Sequence, residues 1–199
     1  MLIYLDTNIV QYCADFEDFI FRADPLPQRI PAKLRKELIA LRELVEIELQ
    51  LEYRDTENRW DIAAPRHLIK ELFAGRPTEQ QKDVYTNLIK AWCDMGRDQH
   101  IQPADDEIAL IEITLRPLKF KDTADRWHLA EAIALQATWF LTNDRNIIDS
   151  TRRITSRGKN KMVGIPQDVG TVQGVRVAYP SECIERMSFH PVWGLMQHE

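Results

Sequence analysis

The sequence predicts an α/β protein in which a mostly parallel central sheet is flanked by helices and carries a helical insertion. Two observations support this class. Apolar, strand-like runs at residues 2–5 and 138–141 are each followed closely by a carboxylate, Asp6 and Asp144. Carboxyl ends of parallel strands are where such sheets build ligand sites. The second observation is that stretches with helical spacing of apolar residues alternate with the strand-like runs.

The first strand leads into a helix and then into a proline-rich break. Thr7 and Asn8 are good helix N-cap residues, so we expect a helix over about 9–14. Residues 24–27 contain two prolines that end it. Pro31 suits the first turn of a long helix. Its apolar face is predicted to comprise Leu34, Leu38, Leu41, Leu44, Val45, Ile47 and Leu51.

The middle of the chain reads as a short strand followed by three helices. Residues 60–64 fit a strand, and Pro65 then opens a compact helix that Gly75 closes. An apolar stripe predicts a further helix over 78–95. The stretch 105–115 also favours a helix, although its apolar residues leave the period ambiguous.

The last third contains a helix that feeds directly into the second acid-bearing strand. Asp122 or Thr123 can cap a helix over 125–135, and that order is typical of a βα fold. The glycine-containing stretch 158–174 predicts an extended loop or hairpin, and 175–179 is the last strand. A final short helix begins at the Pro-Ser-Glu sequence that follows.

Length and composition favour one globular domain over residues 1–199, since 44% hydrophobic content is ordinary for such a domain. The three cysteines, Cys13, Cys93 and Cys183, lack a CxxC pair, which argues against a disulfide framework or structural zinc. Apolar runs are short, so we expect no membrane span, no signal peptide and a cytoplasmic protein.

The net charge of −5 does not suggest nucleic-acid binding, but the charge is uneven. One ten-residue window has no acid and contains Arg152, Arg153, Arg157, Lys159 and Lys161. These residues could hold phosphates without regard to sequence. The alternative is a solvated mobile loop.

Four acids are candidate ligands, and each also has a simpler explanation. Asp6 could merely cap the next helix, and Asp144 could form a turn. Glu71 could be a solvated residue of an amphipathic helix. Asp125 lies on the apolar side of its helix, where it could instead be a favourable acid in the first turn.

The pattern of these acids resembles the PIN domain, a nuclease family. The matching segments are Asp6-Thr7-Asn8, Leu68-Ile69-Lys70-Glu71-Leu72, the run 124–132 around Asp125, and Leu141-Thr142-Asn143-Asp144. The resemblance implies a PIN-like, 5′-nuclease-like fold. It also implies that Asp6, Glu71, Asp125 and Asp144 are catalytic metal ligands, with Asn8, Thr142 and Asn143 as polar groups beside them. Compared with small family members, residues 15–59 look like a helical insertion and residues 150–174 like a basic loop or hairpin insertion.

The resemblance further implies Mg²⁺- or Mn²⁺-dependent hydrolysis of RNA, with one or two ions, giving a 5′-phosphate and a 3′-hydroxyl. Carboxylate oxygens suit such ions, which activate water and stabilise the leaving oxygen. No side-chain nucleophile is needed. This agrees with the lack of HExxH, GxSxG and GxxxxGK[ST] motifs. Expected partners are RNA, an antitoxin protein in a toxin–antitoxin pair and a second copy of the chain.

Two other functions stay open at this point. One is a non-catalytic interaction module, which a metal-dependent RNase assay would distinguish from an enzyme. The other is a phosphatase-like phosphotransferase with Asp6 as nucleophile. That class resembles a DxDx[TV] motif, in which Asn8 would have to be an Asp.

Overall fold

A computed structural model of the chain describes residues 1–22, 24–54, 61–63, 65–95, 102–157 and 169–187. Its elements, in chain order, are β1 (Leu2–Leu5), α1 (Thr7–Asp15), α2 (Glu17–Arg22), α3 (Ala32–Arg54), β2 (Asp61–Ala63), α4 (Arg66–Ala74), α5 (Glu79–Met95), α6 (Asp105–Leu115), a 3-10 helix (Arg116–Leu118), α7 (Thr123–Ala134), β3 (Trp139–Leu141), α8 (Arg145–Arg157), β4 (Gly170–Val172), β5 (Val175–Ala178) and α9 (Pro180–Met187).

The strands form a five-stranded sheet in the order β2-β1-β3-β5-β4. All neighbouring pairs are parallel except β4 and β5, which are antiparallel and joined by a turn at Gln173 and Gly174. Gly174 has a φ of 89°, a conformation that glycine adopts without strain. The predicted α/β class with a mostly parallel sheet is therefore confirmed.

The sheet has a hydrophobic core on each face because successive side chains of a strand point to opposite sides. On one face, Ile3, Leu5 and Leu141 pack against α1, α2, α3, α4, α5 and α9. On the other, Tyr4 and Phe140 pack against α6, α7 and α8. These strands are buried on both faces, so their sequences are apolar throughout and end abruptly at a polar residue. That polar residue is what reaches the carboxyl edge of the sheet.

Most predicted elements are present, with one shift at the first helix. The predicted caps Thr7 and Asn8 are already inside α1, and Asp6 is its N-cap. Two helices, α2 and α3, lie in the region 15–59 that was expected to be helical. Helix α3 contributes core residues, and its buried Glu37 accepts hydrogen bonds from the Ser181 N–H at 3.0 Å and hydroxyl at 2.9 Å.

The expectation of a basic loop after Asp144 is wrong over residues 150–157. These residues belong to α8, whose Ile147, Ile148 and Thr151 are buried against the sheet. At ~1.5 Å per residue, the helix carries the chain about 18 Å between Arg145 and Arg157. The helix therefore takes its last residue, Arg157, away from the sheet edge at which it starts.

In the described part of the chain, no helix has the length and apolar character needed to span a membrane.

Candidate active site

The centre of the candidate site is Asp6, at the carboxyl end of β1. Its carboxylate is buried, and one oxygen, Oδ1, accepts the Thr7 N–H at 2.8 Å, which makes Asp6 the cap of α1. The other oxygen, Oδ2, accepts the Asn8 amide and the Thr142 hydroxyl, each at 2.5 Å. Asp6 thus has both the simple capping role and a second set of partners that capping does not require.

The neighbouring strand β3 delivers Asp144 to the same edge. The Asp144 N–H donates to the Thr142 hydroxyl oxygen at 2.9 Å, so a single threonine side chain joins Asp6 and the Asp144 backbone. The Asn143 N–H donates to Asn8 Oδ1 at 3.0 Å. Asp144 itself accepts the Asn146 N–H at 2.6 Å through Oδ1. The structure therefore brings together the two strand-end acids and the polar residues predicted beside them.

Glu71 approaches this edge from α4 through hydrogen bonds. Its Oε2 accepts the Thr7 hydroxyl at 2.7 Å and also contacts His128 Nε2. The hydrogen bond with His128 lowers the pKa of Glu71, despite partial burial, so this carboxylate is ionised at neutral pH. Thr7 follows Asp6 directly in the sequence, so its hydroxyl links Glu71 of α4 to the carboxyl end of β1.

Asp125 lies in the first turn of α7 and is half-buried. Desolvation, together with the negative charges of Asp6 and Asp144, raises its pKa to about 6. Arg126, the adjacent cation, donates instead to Glu112 at 2.7 Å. Asp125 is thus an acid in the field of two others, with its neighbouring arginine already paired elsewhere.

Burial also raises the pKa of Asp6, although the positive charge of His128 and the hydrogen bonds from Thr142 and Thr7 oppose that rise. Two acids at one edge therefore resist ionisation. A bound cation would favour their charged forms, since opposite charge at short range lowers the pKa of a carboxyl group.

A chain of buried polar groups behind Glu71 was not predicted. The Tyr4 hydroxyl donates to Glu131 Oε2 at 2.9 Å and is 2.8 Å from His128 Nδ1. Glu131 Oε1 also accepts the His67 backbone N–H at 3.2 Å and is 2.9 Å from His67 Nδ1. The one sequence signal is that Glu131 occupies a helix position between two alanines that are completely buried.

This chain fixes the protonation of His128. Tyr4 has one proton and donates it to Glu131, so its oxygen accepts from Nδ1–H, while the Glu71 carboxylate accepts from Nε2–H. Burial opposes charge on His128, but the contact with Glu71 and nearby carboxylates raise the pKa above its usual value. His128 is therefore an imidazolium that holds Glu71 in place.

Replacing Tyr4 by Phe tests this buried chain. The change leaves Glu131 Oε2 without the Tyr4 donor and His128 Nδ1 without an acceptor, which should lower the free energy of unfolding by ~1–3 kcal/mol. Denaturant unfolding measures it, with Tyr12→Phe, a partly buried tyrosine of α1, as the matched control. Equal losses of stability in the two variants would mean that the Tyr4 hydroxyl contributes no more to the free energy of unfolding than the Tyr12 hydroxyl does.

The residues at this edge fit a hard divalent cation by the chemistry of their donors. Asp6, Glu71, Asp125 and Asp144 offer only carboxylate oxygen. Within the described ranges, no group of three or more His, Cys, Asp or Glu side chains is arranged so that it could hold a metal ion by itself. Mg²⁺ usually retains several waters and binds through one or two carboxylates, so an open arrangement suits it.

Three of the five predicted phosphate-binding residues are described by the structure, and all three belong to α8. Arg152 forms an ion pair with Glu182, and its side chain is only 21% exposed, so it serves packing rather than an open contact. Arg153 is in α8, and Arg157 is the last residue of that helix. Lys159 and Lys161 lie outside the described residues.

Comparison of the chain with protein-family models, with curated proteins and with solved structures found no match in any of the three.

Proposed function

We propose that the chain is a PIN-like endoribonuclease that hydrolyses RNA phosphodiester bonds with Mg²⁺ or Mn²⁺ as cofactor. The observation that supports this most is the hydrogen-bonded joining of Asp6 and Asp144 through Thr142. These acids are far apart in the sequence, yet both end buried parallel strands at one edge. Capping and turn formation alone would not require a shared hydroxyl.

In this proposal Asp6, Asp144, Asp125 and Glu71 hold the cation. When bound, it supplies an acidified water and stabilises the negative charge that develops on the phosphate. Thr142 and Asn8 fix the rotation of the Asp6 carboxylate, while Thr7 and His128 fix that of Glu71. A rigid donor set of this kind needs little rearrangement during the reaction.

The bond changes follow from water as nucleophile. An oxygen of water bonds to phosphorus, the bond from phosphorus to the 3′ oxygen breaks, and that oxygen takes a proton. The products are a 5′-phosphate and a 3′-hydroxyl. A partner protein that covers the acidic edge, as an antitoxin would, or a second copy of the chain would control access of RNA to it.

Cleavage of single-stranded RNA by the purified chain tests this function. We expect fragments with Mg²⁺ or Mn²⁺, none with chelator, and 5′-phosphate ends that permit ligation to a 3′-hydroxyl acceptor. A preparation that is folded and binds either ion but yields no fragments would contradict the proposal. Fragments with 2′,3′-cyclic phosphate ends would point to another mechanism.

A further inference from the structure

A second basic segment lies at the start of α3, and its residues are described by the structure. The twelve residues 25–36 contain four basic residues and no acid. These residues are Arg29, Lys33, Arg35 and Lys36. Arg29, Lys33 and Lys36 are exposed and Arg35 is partly buried. In a chain whose net charge is −5, this is a local concentration of positive charge.

The segment lies beside the carboxyl edge of the sheet. Lys33 Nζ is 4.6 Å from the centroid of the Tyr179 ring and donates to its hydroxyl at 3.4 Å. Tyr179 directly follows β5, and the Thr142 N–H donates to the Ala178 carbonyl at 3.0 Å. Two strand spacings of ~4.8 Å therefore separate the end of β5 from the end of β1, where Asp6 is located.

Part of this positive charge is not neutralised. Lys36 pairs with Glu185 at 3.0 Å, and Arg152, whose guanidinium lies 5.9 Å from the centroid of the Tyr179 ring, pairs with Glu182. Among the residues that the structure describes, no carboxylate forms an ion pair with Arg29 or Lys33. The Tyr179 ring and hydroxyl hold the Lys33 ammonium in one place. An anion approaching this side would meet the exposed and already positioned Lys33, and the exposed Arg29 lies four residues before it in the sequence.

We propose that Arg29 and Lys33 bind backbone phosphates of single-stranded RNA whose scissile bond lies at the acidic edge. The proposal rests on the function proposed above, because it names the substrate contacts of that same site. The ends of β5 and β1 are separated by about 10 Å, the two strand spacings given above. At ~3.4 Å per stacked nucleotide, this distance corresponds to about three nucleotides. A strand held here would have a cation contact near the acids that repel it. An acidic protein could also bind these cations, but its binding would not require them to lie next to the acidic edge. The position of the cations therefore favours RNA as the ligand.

Fluorescence anisotropy of a labelled, mixed-sequence single-stranded RNA tests the surface in chelator, where cleavage is absent. Arg29→Gln combined with Lys33→Gln should weaken binding at least about tenfold at low salt. The slope of log affinity against log salt should fall by about 1.4, at ~0.7 for each phosphate contact. Lys82→Gln with Lys90→Gln, an equal charge change on α5, which packs against the opposite edge strand β2, should retain most of the binding.

The outcomes separate this proposal from the nuclease proposal, because binding is measured without metal. Arg29→Lys with Lys33→Arg should restore the salt slope, as charge is retained. Equal losses in the α3 and α5 double variants would overturn the proposal, since only overall charge would then matter. Absence of salt-dependent RNA binding by the wild type would also overturn it and would favour an acidic protein as ligand.

Discussion

Asp144→Asn is expected to abolish RNA cleavage while leaving the fold unchanged. The variant keeps a carbonyl oxygen that can accept the Asn146 N–H, now made to Oδ1 at 2.6 Å, so the turn into α8 survives. It removes one negative charge from the set that would hold the cation. Loss of metal-assisted stabilisation worth several kcal/mol corresponds to a rate at least ~10²–10³-fold lower.

The matched control is Asp149→Asn, the same change within α8, the helix that begins directly after Asp144. Asp149 is partly exposed and pairs with Arg145 at 3.3 Å, away from the hydrogen bonds around Asp6. Cleavage rates at saturating Mn²⁺, together with the melting temperatures of both variants, are the measurements. Wild-type activity in Asp144→Asn would remove Asp144 from the reaction, and equal losses in both variants would indicate a general charge effect.

Asp125→Asn is expected to melt higher than the wild type in chelator and to gain less from metal. In the wild type, a cation at 100 times its Kd should add ~2.7 kcal/mol to the stability of the folded state. The variant loses one ligand and so binds more weakly. In chelator it also loses one of three acids that repel each other, which should contribute ~1 kcal/mol after allowance for solvent screening at a half-buried group.

The pH dependence gives this prediction a definite direction. Burial and neighbouring acids raise the pKa of Asp125 from about 3.8 to about 6 on folding. Between these values the folded state binds more protons than the unfolded state, so stability falls as pH rises. The stability advantage of Asp125→Asn over the wild type in chelator should be absent near pH 4 and complete above about pH 6.

Melting curves at several pH values, with Asp83→Asn on the exposed side of α5 as control, measure this difference. An advantage that does not change with pH would mean that Asp125 is not desolvated in the folded chain. Equal metal-induced shifts in Asp125→Asn and the wild type would place Asp125 outside the site.

The elements that could be predicted are those with local signals at their ends. Helix α6 begins and ends where predicted, at Asp105 and Leu115, because three acids occupy its first turn and Pro117 follows it. Helix α8 (Arg145–Arg157) was not predicted at all, and its residues 150–157 were assigned to a loop or hairpin. Its charge density suggested a loop, whereas its buried face of Ile147, Ile148 and Thr151 decided the structure.

For the site, the limit was distance along the chain. Strand-end acids such as Asp6 and Asp144 can be recognised because each is next to its strand in sequence. The contacts that hold Glu71 in place could not be recognised from the sequence. Thr7 is 64 residues from Glu71, and in the buried chain behind Glu71, Tyr4 is 127 residues from Glu131. Such pairs depend on how α4 and α7 pack, and a single sequence does not specify that packing locally.

The placement of β1 between β2 and β3 has a consequence for the time at which the protein becomes active. Thr142, the partner of Asp6, is synthesised 136 residues after it. At ~5–20 residues per second, the ribosome needs on the order of ten seconds to deliver it. Until β3 has been synthesised, the apolar strand β1 has no neighbouring strand on that side. A nascent chain therefore cannot hold Asp6 in its final orientation before Thr142 has been synthesised, and any activity that depends on that orientation begins only afterwards.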